Sequence, residues 1–329
     1  MTSHLLYLPR CLKLFGIFTP KSLIAYGMKR ILITGSNGLL GQKIVYKCVG
    51  RSDIELIATA RGENRLIQKQ GYAYVSMDIG NREEVIRIIA EFKPDVVIHT
   101  AAMTNVDACE TDREGCLRNN VHAVEYIVEA CNLVNAHLVH VSTDFIFDGE
   151  NGPYDEEAEA NPVSYYGWSK AEAERIVKER STSWAILRTI LVFGVVDNMS
   201  RSNVVLWAKS ALEKGSPIKV VDDQFRMPTL AEDLADGCLL AATQNAQGIF
   251  NISGPDYMSI FELVNRVADF FHLDKSIVQR SDSSSLNQPA KRPPRTGFDL
   301  SKSRRVLGYN PHSFEQGLAI LQQQLQEQA

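Results

Sequence analysis

Thr34-Gly35-Ser36-Asn37-Gly38-Leu39-Leu40-Gly41 is the stretch whose reading decides the fold. It follows the apolar run Ile31–Ile33 and opens a segment in which Leu40, Ile44, Val45 and Cys48 recur at helical spacing. Glycine triplets also occur in ordinary strand-to-helix turns. Between a strand and a helix, though, these glycines allow a tight turn, close approach of the backbone to a pyrophosphate and close packing of helix on strand. The helix N-terminus behind them favours negative charge. The spacing is GxxGxxG rather than GxGxxG. We expect Gly35, Asn37, Gly38, Leu39 and Leu40 to bind a dinucleotide cofactor.

Outward from this turn, short apolar runs alternate with amphipathic segments. Strands are expected at Ile31 to Thr34, Glu55 to Ala60, Tyr72 to Met77, Val96 to Ala101, Leu138 to Ser142, Ala185 to Val192 and Ile249 to Ile252. Val121, Val124, Ile127, Val128 and Cys131 mark a second helix. This is the rhythm of an α/β, Rossmann-like, doubly wound parallel sheet. After about residue 193 the rhythm changes, and Gly215 to Pro217 and Ser281 to Pro294 separate shorter elements. The expected division is an NAD(P)-binding domain over 28–192 and a smaller C-terminal substrate-binding lobe over 193–329, with strands returning to the main sheet. Residues 1–27 hold basic residues but no acid, and Pro9, Lys13 and Pro20 break their apolar runs. They read as an extension outside the fold or an early start codon.

The chain has 329 residues, 45% hydrophobic and 22% charged, with a net charge of −4. That is ample material for a core, and it offers no global positive field for nucleic acid or an anionic membrane. No apolar run reaches the length of about 18 residues that a membrane span needs. Six scattered cysteines form no CxxC pair, so we expect reduced thiols, a cytoplasmic protein and no metal.

Two further signals concern chemistry. The second strand ends Thr59-Ala60-Arg61, without the acid that would bind the ribose hydroxyls of NAD. Arg61 there could hold a 2′-phosphate, so NADPH is expected ahead of NADH. Asp78 and Ile79, after the third strand, stand where such folds touch the adenine. Ala101, Ala102, Met103 and Thr104, after the fourth, are expected to line the cofactor. Tyr166 and Lys170 lie four apart on one helix face, where the ammonium can lower the tyrosine pKa and orient the nicotinamide ribose. YxxxK is common by chance. Thr143, at the end of the preceding strand, sharpens it by offering a hydroxyl to a substrate carbonyl. Tyr165 is followed four residues on by Ser169 and lacks the lysine.

These residues carry a resemblance to the extended short-chain dehydrogenase/reductase superfamily, and within it to the dTDP-4-dehydrorhamnose reductase family. It covers about residues 29 to 325 and includes Thr100–Glu110, Asn120, Val141–Gly149, Pro162–Lys170, Asp223–Thr229 and Arg292–Leu300. The resemblance implies a Thr143, Tyr166, Lys170 triad, Asp144 near the sugar and NADPH-dependent reduction of a 4-keto deoxysugar nucleotide such as dTDP-4-dehydro-L-rhamnose. A homodimer is compatible with it. Three positions depart from the family pattern. Leu191 stands for a tryptophan that contacts the sugar nucleotide, Arg226 for a glycine, and Leu39 for a glutamine in the glycine turn. Two other functions occur among similar proteins. One is a non-catalytic, NADP-binding regulatory subunit of methionine adenosyltransferase, which shares the Gly-Leu-Leu-Gly turn. The other is sugar-nucleotide epimerase or dehydratase chemistry, and dehydratases follow the threonine with Asp-Glu where this chain has Asp144-Phe145.

Overall fold

The computed structural model describes residues 28–198, 202–285 and 288–327; the expected N-terminal extension lies outside the described residues. In chain order the first half runs β1 (Lys29–Thr34), α1 (Leu39–Cys48), β2 (Ile54–Ala60), β3 (Ala73–Ser76), α2 (Arg82–Phe92) and β4 (Val96–His99). Then follow α3 (Val106–Thr111), α4 (Arg113–Leu117), α5 (Ala123–Val134), β5 (His137–Thr143), α6 (Tyr165–Arg180) and β6 (Trp184–Thr189). A short π-helical turn, Arg118–His122, leads into α5. The second half runs β7 (Val192–Phe193), α7 (Val204–Glu213), β8 (Ile218–Val221), β9 (Phe225–Arg226), β10 (Thr229–Leu230) and α8 (Ala231–Gln244). It ends with β11 (Gly248–Asn251), β12 (Met258–Ser259), α9 (Ile260–Phe271), β13 (Val278–Ser281), α10 (Ser301–Leu307) and α11 (Phe314–Glu327).

Seven parallel strands make the main sheet in the order β11-β6-β5-β4-β1-β2-β3, the doubly wound Rossmann-like arrangement. Strand alternation sends side chains to two apolar layers. Ile31 and Ile33 pack toward α1, α8 and α10 with Ile44, Leu234 and Leu307, while Leu32 packs on the other face toward α2, α5 and α6 with Val85, Val124 and Ile176. Among the described residues no helix is long and apolar enough to cross a membrane.

A third core, built from Phe193, Leu206, Val220, Val264, Phe314 and Leu318, joins α7, α9 and α11 to small two-stranded pairs. Between α7 and α9 the chain returns to the main sheet through α8 and β11. Three expected strands are shorter than their apolar runs, and β3 loses one residue at each end of Tyr72 to Met77. The run to Ala101 stops at His99, because Thr100 turns back to donate its hydroxyl to the Thr34 carbonyl at 2.7 Å. The run Ala185 to Val192 breaks after Thr189, and Leu191 takes a left-handed φ of 40° that redirects the chain into β7 and its partner β10.

Candidate active site

A cavity of about 910 Å³ opens along the carboxyl ends of the main-sheet strands, where ligands bind in open α/β sheets. The glycine turn forms one end of it. Gly35 has φ 71°, and a Cβ there would meet the Ala101 backbone at 2.9 Å. At Gly41 a Cβ would stand 2.3 Å from the Gly35 carbonyl oxygen, so any side chain would push α1 off the turn. Among the described residues no side chain caps α1 at Gly38, which leaves its first-turn amides to meet an anion. Asn37 braces the neighbouring loop: its Nδ2 donates to the Glu63 carbonyl at 2.8 Å and its Oδ1 accepts from the Arg65 amide at 2.9 Å. Arg61 and Arg65 consequently both line the cavity, whereas Glu63 does not.

At the other end, β5 delivers Thr143, the turn that follows it delivers Asp144, and α6 delivers Tyr166 and Lys170. Ser164 caps α6 by accepting from the Gly167 amide at 3.2 Å, which starts the helix so that the tyrosine and lysine share its inner face. Tyr166 is buried against Phe145, Cys109 and Cys116. Burial pushes its phenol well above the usual range, and a hydrogen bond with Thr143 pulls the other way. Lys170 Nζ donates to the Val141 carbonyl at 2.8 Å and to His140 Nε2 at 3.3 Å. Burial lowers its pKa to about 8, against the opposing field of Glu174. The ammonium is thus engaged below the cavity rather than with the phenol, and desolvation, not the lysine, dominates the tyrosine.

Over residues 28–327 the chain matches the RmlD substrate binding domain family. It belongs to that family. A dTDP-4-dehydrorhamnose reductase from Aggregatibacter actinomycetemcomitans is 31% identical over 303 residues, covering 88% of this chain and 97% of that protein. Methionine adenosyltransferase 2 subunit beta from Danio rerio is 29% identical over 279 residues, covering 83% and 84%. Among solved structures, dTDP-4-dehydrorhamnose reductase from Bacillus anthracis in complex with NADP superposes with a TM-score of 0.77 at 26% identity, covering 90% of this chain and 99% of that one.

This member of the RmlD family brings most of the expected residues to one cavity: Gly35, Asn37, Gly38, Leu39, Leu40, Arg61, Ile79, Ala101, Ala102, Thr104, Thr143, Asp144, Tyr166, Lys170 and Leu191 all line it. Asp78 and Met103 do not. Asp78 instead accepts from the Gly80 amide, and Met103 is clasped by Asn120, whose Oδ1 accepts from its amide at 2.8 Å and whose Nδ2 donates to its carbonyl at 3.0 Å. Asn120 also donates to Ser169 on α6 at 3.0 Å, tying the cofactor-side loop to the tyrosine helix. Tyr165 points away, packed on Trp168 and under Arg113.

Several lining residues escaped the sequence reading, among them Gln224, Asn203 and Arg292. Gln224 and Arg292 stand inside the Asp223–Thr229 and Arg292–Leu300 stretches that carry the resemblance but were given no role there, and Asn203 sits in a segment without a local motif. The Asp144 carboxylate is also less available than expected. Its Oδ1 accepts from the Thr143 hydroxyl at 3.1 Å, its Oδ2 accepts from Thr296, and Arg226 Nε stands 3.7 Å away. Burial pushes this carboxyl up, and Arg226, Thr296 and Thr143 each pull it down again. Arg226 is nearly fully buried, and its guanidinium also donates to the carbonyls of Phe225 and Pro293, both at 2.7 Å. It therefore braces the cavity wall at a position where the family pattern has a glycine.

Proposed function

We propose that this protein is an NADPH-dependent reductase of the C4 ketone of a deoxysugar nucleotide, of the dTDP-4-dehydrorhamnose class. The observation that carries the reading is the meeting of Thr143, Tyr166 and Lys170 in the same cavity as the glycine turn. The reductase name of the Aggregatibacter relative, matched over nearly its whole length, supports the substrate class. The free, buried thiols of Cys48, Cys109, Cys116, Cys131 and Cys238 suit a reducing compartment such as the cytoplasm.

The residues fit the cofactor. The uncapped start of α1 and the close approach at Gly41 suit a diphosphate, and Arg61 with Arg65 supplies cations where a 2′-phosphate would lie. Bound NADPH supplies the hydride that reduces the carbonyl carbon. On the other side of the reaction, Tyr166 gives its phenolic proton to the carbonyl oxygen. The phenol carries its proton at neutral pH, as donation requires, and its hydrogen bond with Thr143 works against the upward push of burial, which would weaken it as an acid. Thr143 turns its hydroxyl from Asp144 to the same oxygen and holds it. Lys170, charged below pH of about 8 and held by Val141 and His140, would offer its ammonium to the ribose of the bound cofactor. Asp144-Phe145 offers no second carboxylate, so water elimination lacks its base.

The deciding experiment follows NADPH absorbance with a panel of 4-keto sugar nucleotides, and turnover with at least one is expected. Binding of NADPH without reduction of any of them would favour the second reading, a regulatory subunit like the Danio rerio relative. Cofactor choice has its own test. Arg61→Asp removes a charge-assisted contact, so NADPH affinity should fall about 10- to 100-fold while NADH becomes the tighter ligand. Calorimetric titrations showing equal NADPH and NADH affinities in the parent would remove the argument.

A further inference from the structure

Polar groups that the reaction does not use form a row beneath the cavity. Thr34, His99 and His140 occupy facing positions on the adjacent strands β1, β4 and β5, so the sheet register alone sets them side by side. By strand alternation they share the face of Leu32, Val97 and Leu138, which α6 covers. His99 Nδ1 is 2.8 Å from the Thr34 hydroxyl, and the two imidazoles stack with centroids 5.5 Å apart. His140 Nε2 faces Lys170 Nζ at 3.3 Å. Thr34 is the first residue of the glycine turn, and its hydroxyl also accepts from the Ala101 amide at 3.3 Å. The row therefore runs from the cofactor turn to the lysine.

A purely structural role does not explain two fully buried histidines here. Among the described residues His99 Nε2 and His140 Nδ1 have no hydrogen-bond partner, a cost that an apolar residue avoids, as Val97 and Leu138 do two positions earlier on the same face. His99 touches the cofactor turn through Thr34, and His140 touches the reaction machinery through Lys170. Burial keeps both imidazoles neutral. An ammonium has only donors, so His140 must present the Nε2 lone pair to it and carry its own proton on Nδ1.

We infer that His140 is a positioning residue, accepting a hydrogen bond from the Lys170 ammonium so that the lysine stays protonated and held under the cavity, with His99 fixing the imidazole from behind. The inference rests on the role given to Lys170 above. A neutral acceptor stabilises the charged form of the lysine and does nothing for the free amine, so its removal weakens proton binding. Other groups face Lys170 as well: Glu174 on its own helix, Cys116 on α4 and His99 on β4. Glu174 is held by Arg188 with both oxygens, and none of these groups donates to or accepts from Nζ. His140 and the Val141 carbonyl are its direct partners.

The test titrates Lys170 itself, by NMR of the protein carrying isotope-labelled lysine and assigned through Lys170→Met. The parent should titrate near about 8. In His140→Leu the proton affinity of Lys170 should fall about tenfold, and the alkaline limb of kcat should move down in pH by the same factor. His140→Gln, whose amide oxygen can accept in place of Nε2, should stay within about threefold of the parent. Should the leucine variant fail to fold, His140→Met gives the same comparison with a more flexible side chain. An unchanged Lys170 titration in a folded leucine or methionine variant overturns the inference. A parent that reduces no 4-keto sugar nucleotide while the titration shifts as expected would sink the reductase reading and leave this one standing.

Discussion

Replacing Tyr166 by Phe should lower turnover by about 10²- to 10⁴-fold, the usual contribution of a positioned general acid, and change stability little. The substitution removes one oxygen from a side chain that stays packed against Phe145, Cys109 and Cys116. The phenol makes no hydrogen bond that the fold depends on beyond its contact with Thr143. KM should move much less than kcat, because the lost interaction develops as the proton moves. Tyr165→Phe is the control. Tyr165 sits one residue away on the same helix, packed on Trp168 and under Arg113, and does not line the cavity. It should keep nearly full activity. Equal losses in both variants would mean that the helix, not the phenol, matters. Full activity in Tyr166→Phe would remove the tyrosine from the mechanism.

The glycine turn was readable because only glycine satisfies it: the φ at Gly35 and the 2.3 Å approach at Gly41 are local demands that leave a local mark. Tyr166 and Lys170 were readable for a similar reason, since helical spacing alone places them on one face. The break at Leu191 was not, because a left-handed leucine has no compositional signature and is held there by its surroundings, including a hydrogen bond from the Thr229 amide to its carbonyl. Nor was the crowding of Asp144, whose partner Thr296 comes from 152 residues further along the chain. His99 and His140 did leave a trace. His99 ends the apolar strand β4 and His140 interrupts β5, both on a face that is otherwise buried, but their meeting depends on the register of β4 on β5, which one sequence does not reveal.

Arg188→Leu should be the most destabilising single substitution near the site, costing about 3 to 5 kcal/mol in denaturant unfolding. Arg188 on β6 and Glu174 on α6 are both almost fully buried and joined by two bonds, Nε to Oε1 at 3.0 Å and Nη2 to Oε2 at 2.9 Å. Removing the guanidinium strands a buried carboxylate whose nearest other cation, Lys178, stands 4.0 Å away. It also leaves the Glu156 carbonyl without its donor. The penalty comes from the stranded charge more than from the lost attraction, so Arg188→Leu combined with Glu174→Leu should regain most of the loss. Function should not follow stability. Glu174 lies one turn from Lys170 and favours its charged form, so the double variant, though refolded, should lose lysine charge at a lower pH than the parent. Activity that declines earlier on the alkaline side, in a protein of near-parent stability, would show the pair acting on the lysine as well as on the fold. A single-variant cost below about 1 kcal/mol would instead place the pair among weakly contributing surface ion pairs and contradict its burial.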